Sequence, residues 1–520
     1  MIDIGRRTLI TAMAATPIAA SARTSSSPPH SPIAATRHGR VRGTIEKNVL
    51  VFRGVRYGAD TATTRFARAR PPRPWTDIAD ATRYGPAAPQ TKADESTSED
   101  CLFLNVWTPA LDAGKRPVLV YLHGGAHAHG SGSDPLYDGG NLVRRGDVVV
   151  VTLNHRLAAM GYAYLAALGG PAESGNVGNL DIILALQWVR DNIATFGGDP
   201  GRVMIFGQSG GGAKVVTLMA MAEARPLFHA AATMSGQHVT AAGPMHATQR
   251  ARAWMDKAGA PDMPALMRLP VEKLVAAMGM IDPLEGKGEI SFTSTLDHGV
   301  LTRHPFVPGA PVEAAHIPLI IGNTHDETAL WIEKLLRAGD TTWDNLPQRY
   351  ARNTVKDLAP DHVIRRYREL YPDRTPGQIL LAATTAGRSW PGHLIQAEER
   401  ARIDAPTWMY QLDFPCPDAG GILGAFHTLD IPLVFDNVDT PGSRTGASPA
   451  ARHLAGQMAD AFIALARTGN PNHRALADWP TFDLDRRATM IFDSPSRIEN
   501  DPRREERLLF AVAPYIKPGG

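Results

Sequence analysis

One five-residue stretch constrains this chain more than any other. Gly207-Gln208-Ser209-Gly210-Gly211 follows the strand-like run 203–206 and precedes the helix-competent run 213–222, so a G-x-S-x-G pattern sits at a strand-to-helix turn. A turn that tight puts the serine on strained backbone with its hydroxyl exposed, and glycines on either side let neighbouring backbones approach closely. The start of the following helix adds a dipole that favours negative charge. Three fixed positions arise by chance often; the strand and helix on either side give the pattern its weight. A serine hydroxyl is a poor nucleophile at neutral pH, so a base, an orienting acid and donors for an oxyanion have to come from elsewhere in the chain.

Around the turn, strand and helix signals alternate. Val118-Leu119-Val120-Tyr121-Leu122 and the runs 148–153, 203–206, 319–321 and 408–412 are short and rich in apolar residues, as strands of a buried sheet are. Ile182, Leu186, Val189, Ile193 and Phe196 recur at helical spacing, and Gly197-Gly198 with Pro200 ends that helix. Leu454, Met458, Phe462 and Leu465 mark a late helix that stops before Gly469-Asn470-Pro471. Such alternation requires a mainly parallel sheet with crossover helices, the α/β class. The segments 237–315 and 330–405 carry helical patterns without clear strands and read as insertions over one edge of the sheet.

Composition removes several function classes. The 520 residues carry 54 basic and 52 acidic side chains, a net charge of +2, and no long basic run, which disfavours nucleic acid and anionic membranes as partners. Two cysteines, Cys101 and Cys416, exclude a disulfide scaffold and Cys-rich zinc sites. No apolar run reaches the roughly 18 residues of a membrane span. At the N-terminus, Arg6-Arg7 precede a modestly apolar run that ends in Ala20-Ser21-Ala22. This pattern resembles a twin-arginine export signal over residues 1–22. Residues 23–32, rich in Ser and Pro, read as a disordered tether.

His123-Gly124-Gly125-Ala126 follows the 118–122 strand and matches an H-G-G-G type of oxyanion loop, with Ala126 in place of the third glycine. Small residues there leave amides able to point into a site. His123, His127 and His129 together invite a metal reading, but no cysteine and no H-E-x-x-H helix accompanies them. His123 reads as a brace for the loop.

These residues, with Phe52-Arg53-Gly54-Val55, the Ser98 to Trp107 stretch (SEDCLFLNVW), Asn154-His155-Arg156-Leu157, Gly175-Asn176-Val177-Gly178, Phe196-Gly197-Gly198-Asp199-Pro200 and Thr468-Gly469-Asn470-Pro471-Asn472, resemble the type-B carboxylesterase family of α/β hydrolases, which includes para-nitrobenzyl esterases and cholinesterases. The likeness runs from about residue 36 to 514. It implies an acid at Glu327, with Thr328 where the family has glycine, and a base at His427 in Gly424-Ala425-Phe426-His427. The order Ser, acid, His is the one this fold uses. Convergence of residues 123 to 427 on one site implies a single catalytic domain over 33–515.

Departures from the family pattern carry information. The position where relatives place the disulfide partner of Cys101 is Ala88, so Cys101 is expected as an unpaired thiol, with a bridge to Cys416 the remaining alternative. Arg65 and Glu99 stand where relatives make a structural ion pair. Gln208 replaces a frequent glutamate, residues 91–98 hold no aromatic platform for a cation, and His127 stands where an aromatic residue is common; Gln208 and His127 are the pocket candidates. The resemblance implies a serine carboxylic-ester hydrolase acting on uncharged small-molecule esters. Ser209, Glu327 and His427 form its triad, the amides of Gly125, Ala126 and Gly210 its oxyanion hole, and no metal or organic cofactor is required. The alternatives are a catalytically silent binding or adhesion relative, and amide or lactone hydrolysis on the same triad. The N-terminal reading predicts export to the periplasm or beyond: replacing Arg6 and Arg7 by lysine in the precursor abolishes it on cell fractionation, and unchanged export would mean that another route is used.

Overall fold

Strands with no polar face must be covered on both sides, and the chain meets that demand with one large sheet between helical layers. The computed structural model describes residues 31–515 apart from Asp94; the expected signal segment and all of the tether before Ser31 lie outside the described residues. Five N-terminal strands, β1 (Ile33–Ala35), β2 (Arg40–Arg42), β3 (Thr44–Glu46), β4 (Val49–Arg56) and β5 (Ile78–Asp80), come first. The apolar series follows as β6 (Phe103–Thr108), β7 (Arg116–Leu122), β8 (Val149–Leu153), β9 (Gly198–Gln208) and β10 (Ala230–Met234). β11 (Leu319–Thr324) follows the first insertion, and β12 (Thr407–Leu412) and the hairpin β13 (Ala488–Phe492) and β14 (Arg497–Asn500) follow the second. Eleven strands form one sheet in the order β14-β13-β12-β11-β10-β9-β7-β8-β6-β4-β3. Neighbours from β13 to β8 are parallel, and antiparallel strands finish both edges.

Alternation along each strand sorts side chains between two cores. Leu119 and Tyr121 of β7 join Met204 and Phe206 beneath the late helix Pro449–Thr468, whereas Val118, Val120 and Leu122 join Val203 and Ile205 beneath the helix Val177–Asn192. That second helix tightens into the turn Ile193–Phe196 and stops at Gly197, where φ is 77°. The late helix is capped by the Ser448 hydroxyl at its start and by Gly469, at φ 76°, at its end.

The structure departs from the sequence expectation in three places. Residues Ala230–Met234, three of them alanine, form β10 because they lie between β9 and β11 and are buried at every position; tertiary burial overrides a helix-favouring composition. The insertion 237–315 is helical only over Pro244–Ala258, Met263–Arg268 and Val271–Ala277, and regular helix does not return before the short turn Val312–Ala314. In the irregular part, Asp282 replaces helix hydrogen bonds: it accepts from Arg250 and from the amides of Leu284, Glu285 and Ser291. The insertion 330–405 is helical as expected, with five helices from Glu333–Ala338 to Trp390–Ala401. The third departure is at the edges: the hairpin β13–β14 and the antiparallel strands β3, β4 and β6 are not among the expected strands, although β4 opens with the apolar run 49–52.

The strand order places the site. From β7 the chain crosses to β8 on one side and returns to β9 on the other, so the loops at the carboxyl ends of β7 and β9 part and leave a crevice. The oxyanion-type loop follows β7, and Ser209 follows β9.

Candidate active site

Ser209 sits at φ 57° and ψ −121°, a conformation that costs an L-residue on the order of 1–3 kcal/mol and persists only where surroundings enforce it. Here its amide donates to the Met234 carbonyl at 2.7 Å, and the helix Gly210–Ala220 begins at once. Two glycines permit the approach of the β7 loop. A Cβ on Gly211 would lie 1.9 Å from the Leu122 carbonyl oxygen, and one on Gly210 would lie 1.8 Å from that of Ala126. The loop itself turns through left-handed backbone at Gly125 (φ 86°) and Ala126 (φ 55°). The amides of Gly125, Ala126 and Gly210 donate to no protein group among the described residues, and Ala126 is solvent-exposed while Ser209 is half-buried.

The loop's histidines have separate tasks. His123 Nδ1 donates to the Gly124 carbonyl at 2.9 Å, and its ring stacks on His155 at 4.9 Å. Burial, with Lys214 nearby, pushes its pKa down to about 3, so it is a neutral brace. His127 is buried, edge-on to Tyr162 at 4.7 Å and 3.5 Å from the Ser294 hydroxyl. His129 is exposed.

Across the crevice, a backbone bridge between Asp326 and Phe426 sets Glu327 beside His427. The Asp326 amide donates to the Ala425 carbonyl at 2.9 Å, and the Ala425 amide returns a bond to Asp326 Oδ2 at 3.0 Å. The side chains that follow then meet: Glu327 Oε2 lies 2.5 Å from His427 Nδ1. Glu327 is fully buried, and its other oxygen accepts from the Ser235 hydroxyl at 2.5 Å and the Thr324 amide at 2.9 Å. Burial alone would raise the Glu327 pKa, but the His427 ring, with His393 and the Ser235 hydroxyl, holds it below the usual carboxylate range. Burial alone would lower that of His427, and the Glu327 carboxylate holds it above its ordinary 6.5.

The imidazole is hemmed in by residues from four further segments. The Gln208 side-chain nitrogen lies 3.3 Å and 3.5 Å from the two ring nitrogens, so Gln208, buried to 1% exposure, packs on His427. Trp331 stacks obliquely over the ring at 5.1 Å and is 51% exposed. Buried Asp430, which accepts from Tyr410, has its pKa raised to about 6 by burial. His393 is wholly buried with both nitrogens unpartnered, and burial lowers its pKa to about 4. No hydrogen bond joins Ser209 Oγ to His427 in this conformation; catalytic contacts of this kind often close only around a substrate.

Sequence reasoning missed Ser235, Trp331, His393 and Lys214. A signal existed for two of them: Trp331 follows Glu327 by one helical turn, and Lys214 is a charged residue in the otherwise small and apolar run after Ser209.

Residues 30–510 match the model of the carboxylesterase family. The chain belongs to that family. It is 34% identical to the para-nitrobenzyl esterase of Bacillus subtilis, over 91% of this chain and 97% of that protein. It is 33% identical to a phenmedipham hydrolase of Pseudarthrobacter oxydans, over 92% and 98%. A crystal structure of a Geobacillus stearothermophilus carboxylesterase superposes with a TM-score of 0.81 at 35% identity, covering 92% of this chain and 99% of that one. The fold is accordingly the α/β-hydrolase fold, and the protein is a hydrolase of carboxylic esters.

The departures noted in the sequence now have places in this carboxylesterase. Cys101 and Cys416 are both buried and unpaired, which removes the bridge between them. Arg65 and Glu99 pair through two contacts of 2.5 Å, and Arg65 also donates to the Met267 and Leu269 carbonyls, which ties the first insertion to the N-terminal segment. Arg156 and Asp181 form a second two-pronged pair, almost completely buried, whose guanidinium also holds the Ala67 carbonyl.

Proposed function

We propose that Ser209 is the nucleophile, His427 its general base and Glu327 the orienting acid of an acyl-enzyme mechanism. The observation that carries this reading is the 2.5 Å Glu327–His427 contact, which lies at the same sheet edge as the strained Ser209 turn. As Oγ adds to the ester carbonyl carbon, its proton passes to His427, and the carbonyl electron pair moves onto oxygen as an oxyanion. The amides of Gly125, Ala126 and Gly210 receive that charge. Glu327 fixes the ring tautomer and stabilises the imidazolium without taking its proton. Collapse expels the alcohol, protonated by His427; water then repeats the sequence on the acyl-enzyme and releases the acid. Retention of all three residues argues against a silent binding relative.

The substrate class we assign is uncharged esters. Gln208 puts a neutral amide against the base where a carboxylate would attract a cation. The aromatic face nearest the base, Trp331, already has the Arg388 guanidinium 5.3 Å from its ring centre, so a cationic alcohol meets a like charge there. We also assign export through the twin-arginine route. Two buried unpaired thiols suit a protein that folds in a reducing compartment before it is moved.

Three measurements test this reading. An organophosphonate probe labels Ser209 on peptide mass mapping, and Ser209→Ala abolishes both labelling and turnover; a label elsewhere overturns the mechanism. Because only neutral imidazole accepts the Ser209 proton, kcat/KM falls as pH drops through a midpoint above 6.5. Glu327→Gln removes the charge that raises this midpoint, shifts it downward and cuts kcat by about 10³- to 10⁴-fold; an unmoved acid limb assigns the titration to another group. Finally, butyrylcholine is turned over with lower kcat/KM than its carbon isostere 3,3-dimethylbutyl butyrate. A cation–π contact is worth on the order of 2 kcal/mol in a desolvated site, so its loss amounts to more than about tenfold, and an advantage for the cation would refute the assignment.

A further inference from the structure

Lys214 stands on the helix that follows the nucleophile, five residues beyond Ser209, and is 0% exposed. Burial, with no carboxylate to offset it, pushes its pKa down to about 7. The charged or titratable groups it faces are His123, His129 and His155, whose pKa values are themselves lowered by burial with Lys214 as a second cause or a further one. An isolated buried amine is costly unless its N–H groups are used, and a methionine or leucine fills such a space without that cost. The Lys214 Nζ donates to the Ala126 carbonyl at 3.0 Å and to the His123 carbonyl at 3.3 Å. Ammonium and neutral amine both carry enough N–H bonds for two carbonyls, so the contact does not depend on which form is present.

Those two carbonyls bracket the loop that supplies the oxyanion amides. Between them lie Gly124 and Gly125, and the loop ends in Ala126, a non-glycine held at φ 55°. The Ala126 carbonyl is wedged against the Gly210 backbone, where a Cβ would come within 1.8 Å of it, and is bound by Lys214 one helical turn further on. The helix therefore grips the same peptide at two levels.

We propose that Lys214 is a positioning residue for the oxyanion hole: its two hydrogen bonds clamp the ends of the 123–126 loop so that the Gly125 and Ala126 amides converge with that of Gly210 on the acyl oxygen. This rests on the assignment of Ser209 as nucleophile. A clamp of this kind acts on the tetrahedral state and leaves ground-state binding almost untouched.

The test compares wild type with Lys214→Met, each normalised to active sites counted with the phosphonate probe. Substrates are p-nitrophenyl butyrate and two ketones of equal chain length, one trifluoromethylated so that Ser209 adds to it and an oxyanion forms, the other a plain methyl ketone. Lys214→Met lowers kcat by about tenfold or more, a fraction of the 10²–10³ that a whole oxyanion donor supplies, with KM changed by less than about threefold. The trifluoromethyl ketone weakens by the same factor as kcat, and the methyl ketone keeps its affinity. Unchanged kcat, or equal weakening of both ketones, overturns the proposal. Should the methionine variant not fold, Lys214→Gln, which keeps a shorter donor, is measured in the same way. A wild type that the probe leaves unlabelled at Ser209 overturns the underlying mechanism instead, so the two failures are distinguishable.

Discussion

The site depends on two stretches of bare backbone lying against one another. The turn after β9 and the loop after β7 touch so closely that a single added carbon on Gly210 or Gly211 would sit within 2 Å of a carbonyl oxygen of the facing chain, at 1.8 Å and 1.9 Å. Contact of that kind is possible only if β7 and β9 are parallel neighbours in fixed register, as Leu122 opposite Gly207 makes them. Parallel neighbours need a crossover, and crossovers bury the strands on both faces. The two cores and the helices over them follow from that requirement. The strain at Ser209 is held by the same contact and by the bond from its amide to β10.

In the proposed mechanism, proton transfer is arranged by burial as much as by distance. Glu327 has no exposed surface, and three donors on it take the place of water. In a medium of low polarity each of those bonds is stronger than it would be outside, and the loss of any one is correspondingly more costly. The imidazole has the opposite balance, since burial disfavours its charge and a single carboxylate restores it. Neighbouring histidines, His123, His155 and His393, are kept neutral by burial without such a partner. Of the four, His427 alone touches a carboxylate, and this separates its role from theirs.

Much of the framework was legible because it is written in local pattern. The runs 118–122, 148–153 and 203–206 announced buried strands through their apolar residues, and each lies within or overlaps an observed one; the helix ending at Gly197 and the one ending at Gly469 showed both periodicity and stop signal. Where pattern was weak, the reading failed. Ala230–Met234 becomes a strand only through its neighbours, and the stretch after Ala277 is held by Asp282 and not by helical periodicity.

The sequence by itself determined the α/β class, the turn that carries Ser209 and the small-residue loop opposite it, and, through family resemblance, it pointed to Glu327 and His427 as the candidate acid and base. These are properties of short segments, whose residue types state what backbone they can adopt or what chemistry they can carry. Only the tertiary structure decided who stands beside whom. Ser235 meets Glu327 across 92 positions, Gln208 meets His427 across 219, and Lys214 reaches back 88 to hold Ala126. No spacing rule connects residues so far apart; their meeting is set by strand order and by the edge at which the parallel strands end.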